Sequence, residues 1–136
     1  MKVKLDDSSR ESVVAYRIQR AHETLREVDY LIEGKFYNAA VSRLSYACYY
    51  IVVALLIANR LETQTHAGVK TAFSLNFVKP QVLDKDLSKT FFKLFDLRHN
   101  NDYEDYCFCD RQTLEKIRPL AGEFIDKVEA LIKTDR

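Results

Sequence analysis

Apolar residues recur at steps of three and four along nearly the whole chain, and each run of that pattern is closed by residues that end helices. The first run places Val14, Ile18, Ala21, Leu25, Val28 and Ile32 on one stripe. Ser8 followed three residues later by Glu11 has the spacing of a capping box, and Gly34 supplies the stop. The second run, from about Phe36 to Arg60, is apolar nearly all round, as in Tyr49-Tyr50-Ile51-Val52-Val53-Ala54-Leu55-Leu56-Ile57-Ala58, which predicts the central helix of a bundle. Thr65 stands where it can cap a third helix with Val69, Ala72, Phe73 and Phe77 inward, ended by Pro80. A fourth is predicted over Asp84 to Arg98. A fifth begins after Asp110 and carries Leu114, Ile117, Ala121, Phe124, Val128 and Leu131 inward, with Pro119 expected to kink it or mark a restart. Short links between long helices favour antiparallel neighbours. The expected fold is therefore all-α, a four- to five-helix up-and-down antiparallel bundle, forming a single domain over 1–136 with its core at about 8–133.

Composition narrows the functional classes. With 136 residues, 47% of them apolar, the chain is large enough for a core without metal or disulfide staples. The formal charge of +1 leaves no global basic footprint, so any contact with nucleic acid has to be local. Leu44 to Ala58 is shorter than the ~20 apolar residues that span a bilayer and contains Ser45 and tyrosines, so a buried helix and no membrane association are expected. An odd count of three cysteines, and an N-terminus without the apolar stretch of a signal peptide, fit a reducing, cytoplasmic setting. Cys107 and Cys109 with His66 or His99 do not reproduce a zinc spacing, and no phosphate-cradling glycine loop is present, so neither metal nor cofactor is expected.

Two charges fall where the pattern calls for apolar residues. The steps that join Leu87, Phe91 and Leu94 place Arg98 next on the stripe, at what the pattern reads as a helix C-terminus, before the acceptor-rich run His99 to Tyr106. An arginine at the mouth of a core can present a fixed cation to a phosphate or carboxylate, or can pair structurally with Asp102 or Asp105. Arg43 is the second, on a face continued by Ala47, Tyr50, Ala54 and Ile57; it can bridge to an acid of another helix, snorkel outward, or meet a ligand. His66 falls in the first turn of the third helix, beside Gly68, which permits close approach of another backbone. His22 and His99 read as surface residues.

Taken together these residues resemble the HEPN domains, small helical modules whose name refers to nucleotide binding. The resemblance runs from about Tyr16 to Ile132 and rests on the order and spacing of Tyr37-Asn38-Ala39-Ala40-Val41-Ser42-Arg43-Leu44-Ser45-Tyr46-Ala47, then Thr65-His66-Ala67-Gly68-Val69, Phe77-Val78-Lys79, and Leu97-Arg98 with Asp102-Tyr103. It is closest in kind to the stand-alone prokaryotic branch, and it implies a bundle that pairs through its long helices. Many such proteins work beside a small nucleotidyltransferase as a toxin and antitoxin. Catalytic members are metal-independent ribonucleases whose arginine precedes a histidine by four to six intervening residues. Arg98 matches that arginine, and Tyr103 stands where the histidine would be. A tyrosine, with an ordinary pKa of about 10, is a poor general base at neutral pH.

The expected function is accordingly a HEPN-type module that binds a nucleotide, RNA or a partner protein, as the HEPN member of a toxin–antitoxin-like pair. Arg98, Asp102, Tyr103, Arg43, Tyr46 and His66 are the candidate ligand-binding residues. The alternatives are an RNA-cleaving toxin, in which Arg98 stabilises the phosphorane and Tyr103 or His66 replaces the missing base, and a purely structural interaction subunit. A homodimer is expected, partly because eight Tyr and eight Phe are a generous load for one bundle interior. The opposing reading is that Tyr30, Tyr37, Tyr49 and Tyr106 merely roof the core with hydroxyls in water.

Overall fold

The computed structural model describes residues 5–61, 63–103 and 110–134, the stretch 97–103 through its backbone alone. Five α-helices account for almost all of it: α1 (Asp7–Glu33), α2 (Tyr37–Ala58), α3 (His66–Phe73), α4 (Lys85–Tyr103) and α5 (Arg111–Thr134), with a π-helical turn at Ser74–Val78 continuing α3. No strand occurs among the described residues. The fold is an all-α helical bundle, as the periodicity predicts.

Side-chain contacts between helices fix the topology. Arg10 of α1 reaches the Ile57 carbonyl and Glu27 meets Arg43, so α1 and α2 run antiparallel. Asp29 meets Arg118 and His22 meets Glu129, so α5 is also antiparallel to α1. Phe91 and Phe95 face Ser45, Tyr46 and Tyr49 across one crease, and Phe91 stacks on Phe124 at 5.8 Å, which sets α4 between α2 and α5. The apolar α2 is the axis, with Leu44, Ala47, Cys48, Ile51, Val52, Ala54 and Leu55 fully buried. It is the one helix among the described residues long and apolar enough to cross a membrane, and most of its most apolar stretch is packed inside the bundle.

Several element ends differ from the sequence reading. The cap of α1 is Asp6, whose carboxylate accepts from the Ser9 amide at 2.7 Å, and not Ser8. Gly34 does end α1, but with an ordinary negative φ; the left-handed residue is Lys35, and a Cβ on Gly34 would lie 2.9 Å from the Phe36 ring. Helix α4 does not stop at Arg98 but continues to Tyr103, because no Gly or Pro interrupts His99 to Tyr103. Arg98 is therefore inside a helix and does not sit on its C-terminal dipole. Helix α5 runs through Pro119 as one element, neither ending nor restarting there. Its deeply buried end is Ile132, with Ile125 also inside, while Leu131 is half-buried: the face against α1 and α2 is wider than a single stripe.

Candidate functional site

The face where α2, α3 and α4 meet is built from rings and cations. It begins with a cap. Thr65 accepts a hydrogen bond from the Gly68 amide at 2.9 Å, fixing the first turn of α3. What approaches Gly68 is not another backbone, as the sequence reading expected, but the Thr65 hydroxyl and the Thr63 side chain, 2.9 and 3.1 Å from where a Cβ would stand. With that turn fixed, the exposed His66 imidazole lies nearly parallel to the Tyr49 ring, centroids 4.7 Å apart and planes 18° off. Tyr49 then meets Tyr50 edge-on at 6.5 Å, and Tyr50 stacks on Tyr46 at 6.1 Å.

Guanidinium and ammonium groups flank these rings. Arg43 lies over Tyr46 at 5.9 Å, Arg17 and Arg20 over Tyr50 at 5.8 and 5.7 Å, and Lys70 over Phe95 and Phe92 at 5.2 and 5.8 Å. Contacts of this kind are worth about 0.5–1 kcal/mol at exposed sites, so they position the cations without consuming their hydrogen-bond donors. Carboxylates take up part of the charge: Glu27 holds Arg43 at 2.6 Å, Glu23 lies 3.6 Å from Arg20, and Asp96 lies 3.7 Å from Lys70. Arg17 makes no ion pair among the described residues.

Ser45, Tyr46, Tyr49, His66, Phe91 and Phe95 enclose a crease of about 10 Å³, room for about one water and far too small for a nucleotide. Beside it, between α3 with its π-helical turn and α4, a shallow hollow of about 510 Å³ is lined by Lys70, Lys79, Ser74, Phe92 and Phe95. A separate groove of about 360 Å³ between α4 and α5 carries Lys89, Lys93 and Lys116 but no aromatic ring.

Two of the sequence-derived candidates, Tyr46 and His66, line the same crease. Arg43 reaches it by covering Tyr46, but its guanidinium is held by Glu27 of α1, the inter-helix bridge that its position allowed. The side chains of Arg98, Asp102 and Tyr103 lie outside the described residues, as do Cys107 and Cys109. The backbone still places Arg98. Phe95 lines the crease with Ser45 and Tyr46, and position 98 lies one turn further along α4. His22 is not a simple surface residue: its Nε2 lies 2.6 Å from Glu129 of α5. The sequence reading missed Lys70, Phe92, Arg17 and Arg20, and weighed Tyr49 only as an interface ring or a roof over the core. The adjacent Tyr49-Tyr50 in an otherwise aliphatic run was the available signal, since two neighbours on a helix cannot both face the core.

Comparison with known proteins bears on the whole chain. The HEPN domain family model matches residues 14–131. A Thermotoga maritima protein described as "UPF0332 protein" is 32% identical over 126 residues, 93% of this chain and 96% of its own length. A Methanocaldococcus jannaschii protein printed as "Putative toxin MJ0605" is 32% identical over 136 residues, 98% of each chain. A second protein from that organism, "Putative toxin MJ0142", is 28% identical over 112 residues, 82% of this chain and 76% of its own.

Proposed function

The chain belongs to the HEPN domain family, and from that premise we propose that it is an RNA-binding HEPN module acting as the toxin-side member of a two-protein pair. The observation that carries this reading is the run of stacked and cation-flanked rings from Arg43 through Tyr46, Tyr49 and His66 to Lys70 and Phe95. Bases of any sequence stack on aromatic faces, and neighbouring cations hold the phosphates that link them. Position 98 lies one turn along α4 from Phe95, and Arg98, which matches the family's arginine, belongs to this reading as a further cation. The names of two relatives support the toxin role, and a small nucleotidyltransferase is the partner class the family points to. Binding precedes chemistry in this proposal: Tyr103 stands at the position where catalytic relatives carry histidine. The module pairs as a homodimer, with Tyr16, Tyr30 and Phe36 (58, 76 and 63% exposed) as apolar surface for the contact.

Fluorescence anisotropy with a labelled single-stranded RNA tests the reading. Salt-dependent binding that weakens in Tyr49→Ala and in Arg98→Ala, while thermal melting stays near wild type, is the expected result. Binding that is absent, or unchanged in both variants, overturns it and leaves the structural-subunit alternative. Incubation with total RNA should give no cleavage, and Tyr103→His should gain it. Cleavage by the wild type that survives chelation and disappears in Arg98→Ala would instead establish the ribonuclease.

A further inference from the structure

The seam between α1 and α5 holds a group of side chains that the RNA-binding reading does not use. His22 of α1 faces Asp126 and Glu129, which lie three residues apart on α5, and one ligand atom from each of the three lies within 4.8 Å of the others. His22 Nε2 and Glu129 Oε1 are 2.6 Å apart, and Lys133 Nζ holds the other Glu129 oxygen at 2.8 Å. Asp126 is exposed and has no cationic partner among the described residues. Two carboxylates are thus brought together across one imidazole with a single lysine to offset them, a net negative site at the pH where the imidazole is neutral.

We propose that His22, Asp126 and Glu129 bind a divalent transition-metal ion of the zinc or cobalt class, which clamps α1 to α5. The donor set decides the class. One imidazole nitrogen and two carboxylate oxygens suit borderline ions, whereas calcium and magnesium prefer oxygen alone. Bond lengths of about 2.0–2.2 Å to such an ion put neighbouring ligand atoms about 3.3 Å apart in a tetrahedral shell. The His22–Glu129 contact opens slightly to meet that spacing, and the unpaired Asp126 carboxylate swings in to complete three protein ligands. Lys133 keeps Glu129 monodentate, and its charge opposes the incoming cation, so the affinity is moderate.

The test uses the full chain freed of metal, titrated with Zn²⁺ and Co²⁺ and followed by calorimetry, thermal melting and the visible spectrum of the cobalt form. Zinc should raise the melting temperature by several degrees, and cobalt should give a spectrum without the charge-transfer band of a thiolate. Asp126→Asn touches no ion pair among the described residues and should weaken binding by about tenfold or more; His22→Ala should do the same. Lys133→Met removes the opposing charge and should tighten binding several-fold, an effect that a plain His–Glu ion pair has no reason to show. The Cys107→Ser, Cys109→Ser double variant should bind as wild type. No heat or melting shift with Zn²⁺ or Co²⁺, or binding that persists in Asp126→Asn and vanishes with the cysteines, overturns the proposal. Neither outcome bears on RNA binding, which is read with different residues.

Discussion

The end of the bundle where α1 begins and α2 ends handles its arginines differently from the face where α2, α3 and α4 meet. At the first, Arg10 is buried, only 9% exposed, and donates to the Ile57 carbonyl at 2.8 Å and the Leu5 carbonyl at 3.3 Å. It satisfies a last-turn carbonyl of α2, where the helix dipole also favours a cation. Arg60 closes the same end on Asp7. At the second, the cations rest on ring faces and remain partly in water, Lys70 with 41% of its side chain exposed. A buried guanidinium that donates to backbone carbonyls is committed to the fold. A partly solvated one over a ring is available to a phosphate.

Breaking the structural end should give the largest effect on stability. Arg10→Met keeps much of the buried volume but removes a charge-assisted hydrogen bond from the Ile57 carbonyl, which keeps its bond from the Arg60 amide at 3.1 Å, and this costs about 1.5–3 kcal/mol. Urea or thermal melting measures it, and RNA affinity of the surviving fold should be unchanged. A variant that melts normally but loses RNA would erase the contrast between the two regions. The opposite pattern is expected on the other face: the double change Tyr49→Leu, His66→Ala should cost RNA affinity about tenfold, ~1.4 kcal/mol, with stability changed by less than about 1 kcal/mol.

The same contrast explains what the sequence revealed and what it hid. Helix number and most core residues followed from periodicity because burial imposes it: Val14, Ala21 and Val28 on α1, and Leu114, Ala121, Phe124 and Val128 on α5, are all fully buried. The step of four back from Val14 lands on Arg10, just as the step on from Leu94 lands on Arg98. Periodicity can flag a misplaced charge, but it cannot say whether a carbonyl from a helix 47 residues away waits for it. The ring-and-cation face was legible only in part for the same reason. Tyr46 and His66 were picked out, whereas Lys70 and Phe92 join them through the packing of α3 on α4, which no local spacing encodes.

Arg43 sits between the two kinds of role and can be assigned by measurement. Its pair with Glu27 is about one-third exposed, so a double-mutant cycle of Arg43→Gln and Glu27→Gln should return a coupling of about 0.2–1 kcal/mol. If Arg43 only bridges α1 and α2, Glu27→Gln leaves RNA binding as it is. If Arg43 also serves the face, Glu27→Gln frees its guanidinium and binding should tighten. The sign of that one change separates the assignments.

The smallest effect concerns the helix caps, which differ in chemistry between α3 of the ring face and the long helices α1 and α5. Helices α1 and α5 are capped by carboxylates, Asp6 on the Ser9 amide at 2.7 Å and Asp110 on the Thr113 amide at 2.8 Å, whereas α3, which carries His66, is capped by the hydroxyl of Thr65. Hydrogen bonds from Ser9 hold the Asp6 carboxyl below its ordinary range, and those from Thr113 do the same for Asp110. An acid whose pKa is lowered on folding stabilises the folded state above its ordinary pKa, about 3.9, and loses that contribution as pH falls through the lowered value. Acidification below about pH 4 should therefore loosen the first turns of α1 and α5 while leaving the start of α3 untouched. Hydrogen-exchange protection factors, corrected for the intrinsic pH dependence of exchange, read this directly at Ser9, Thr113 and Gly68. Protection at Ser9 and Thr113 should fall on acidification while that at Gly68 holds. Equal loss at all three amides would mean that the bundle opens as a whole and that the caps make no separate contribution.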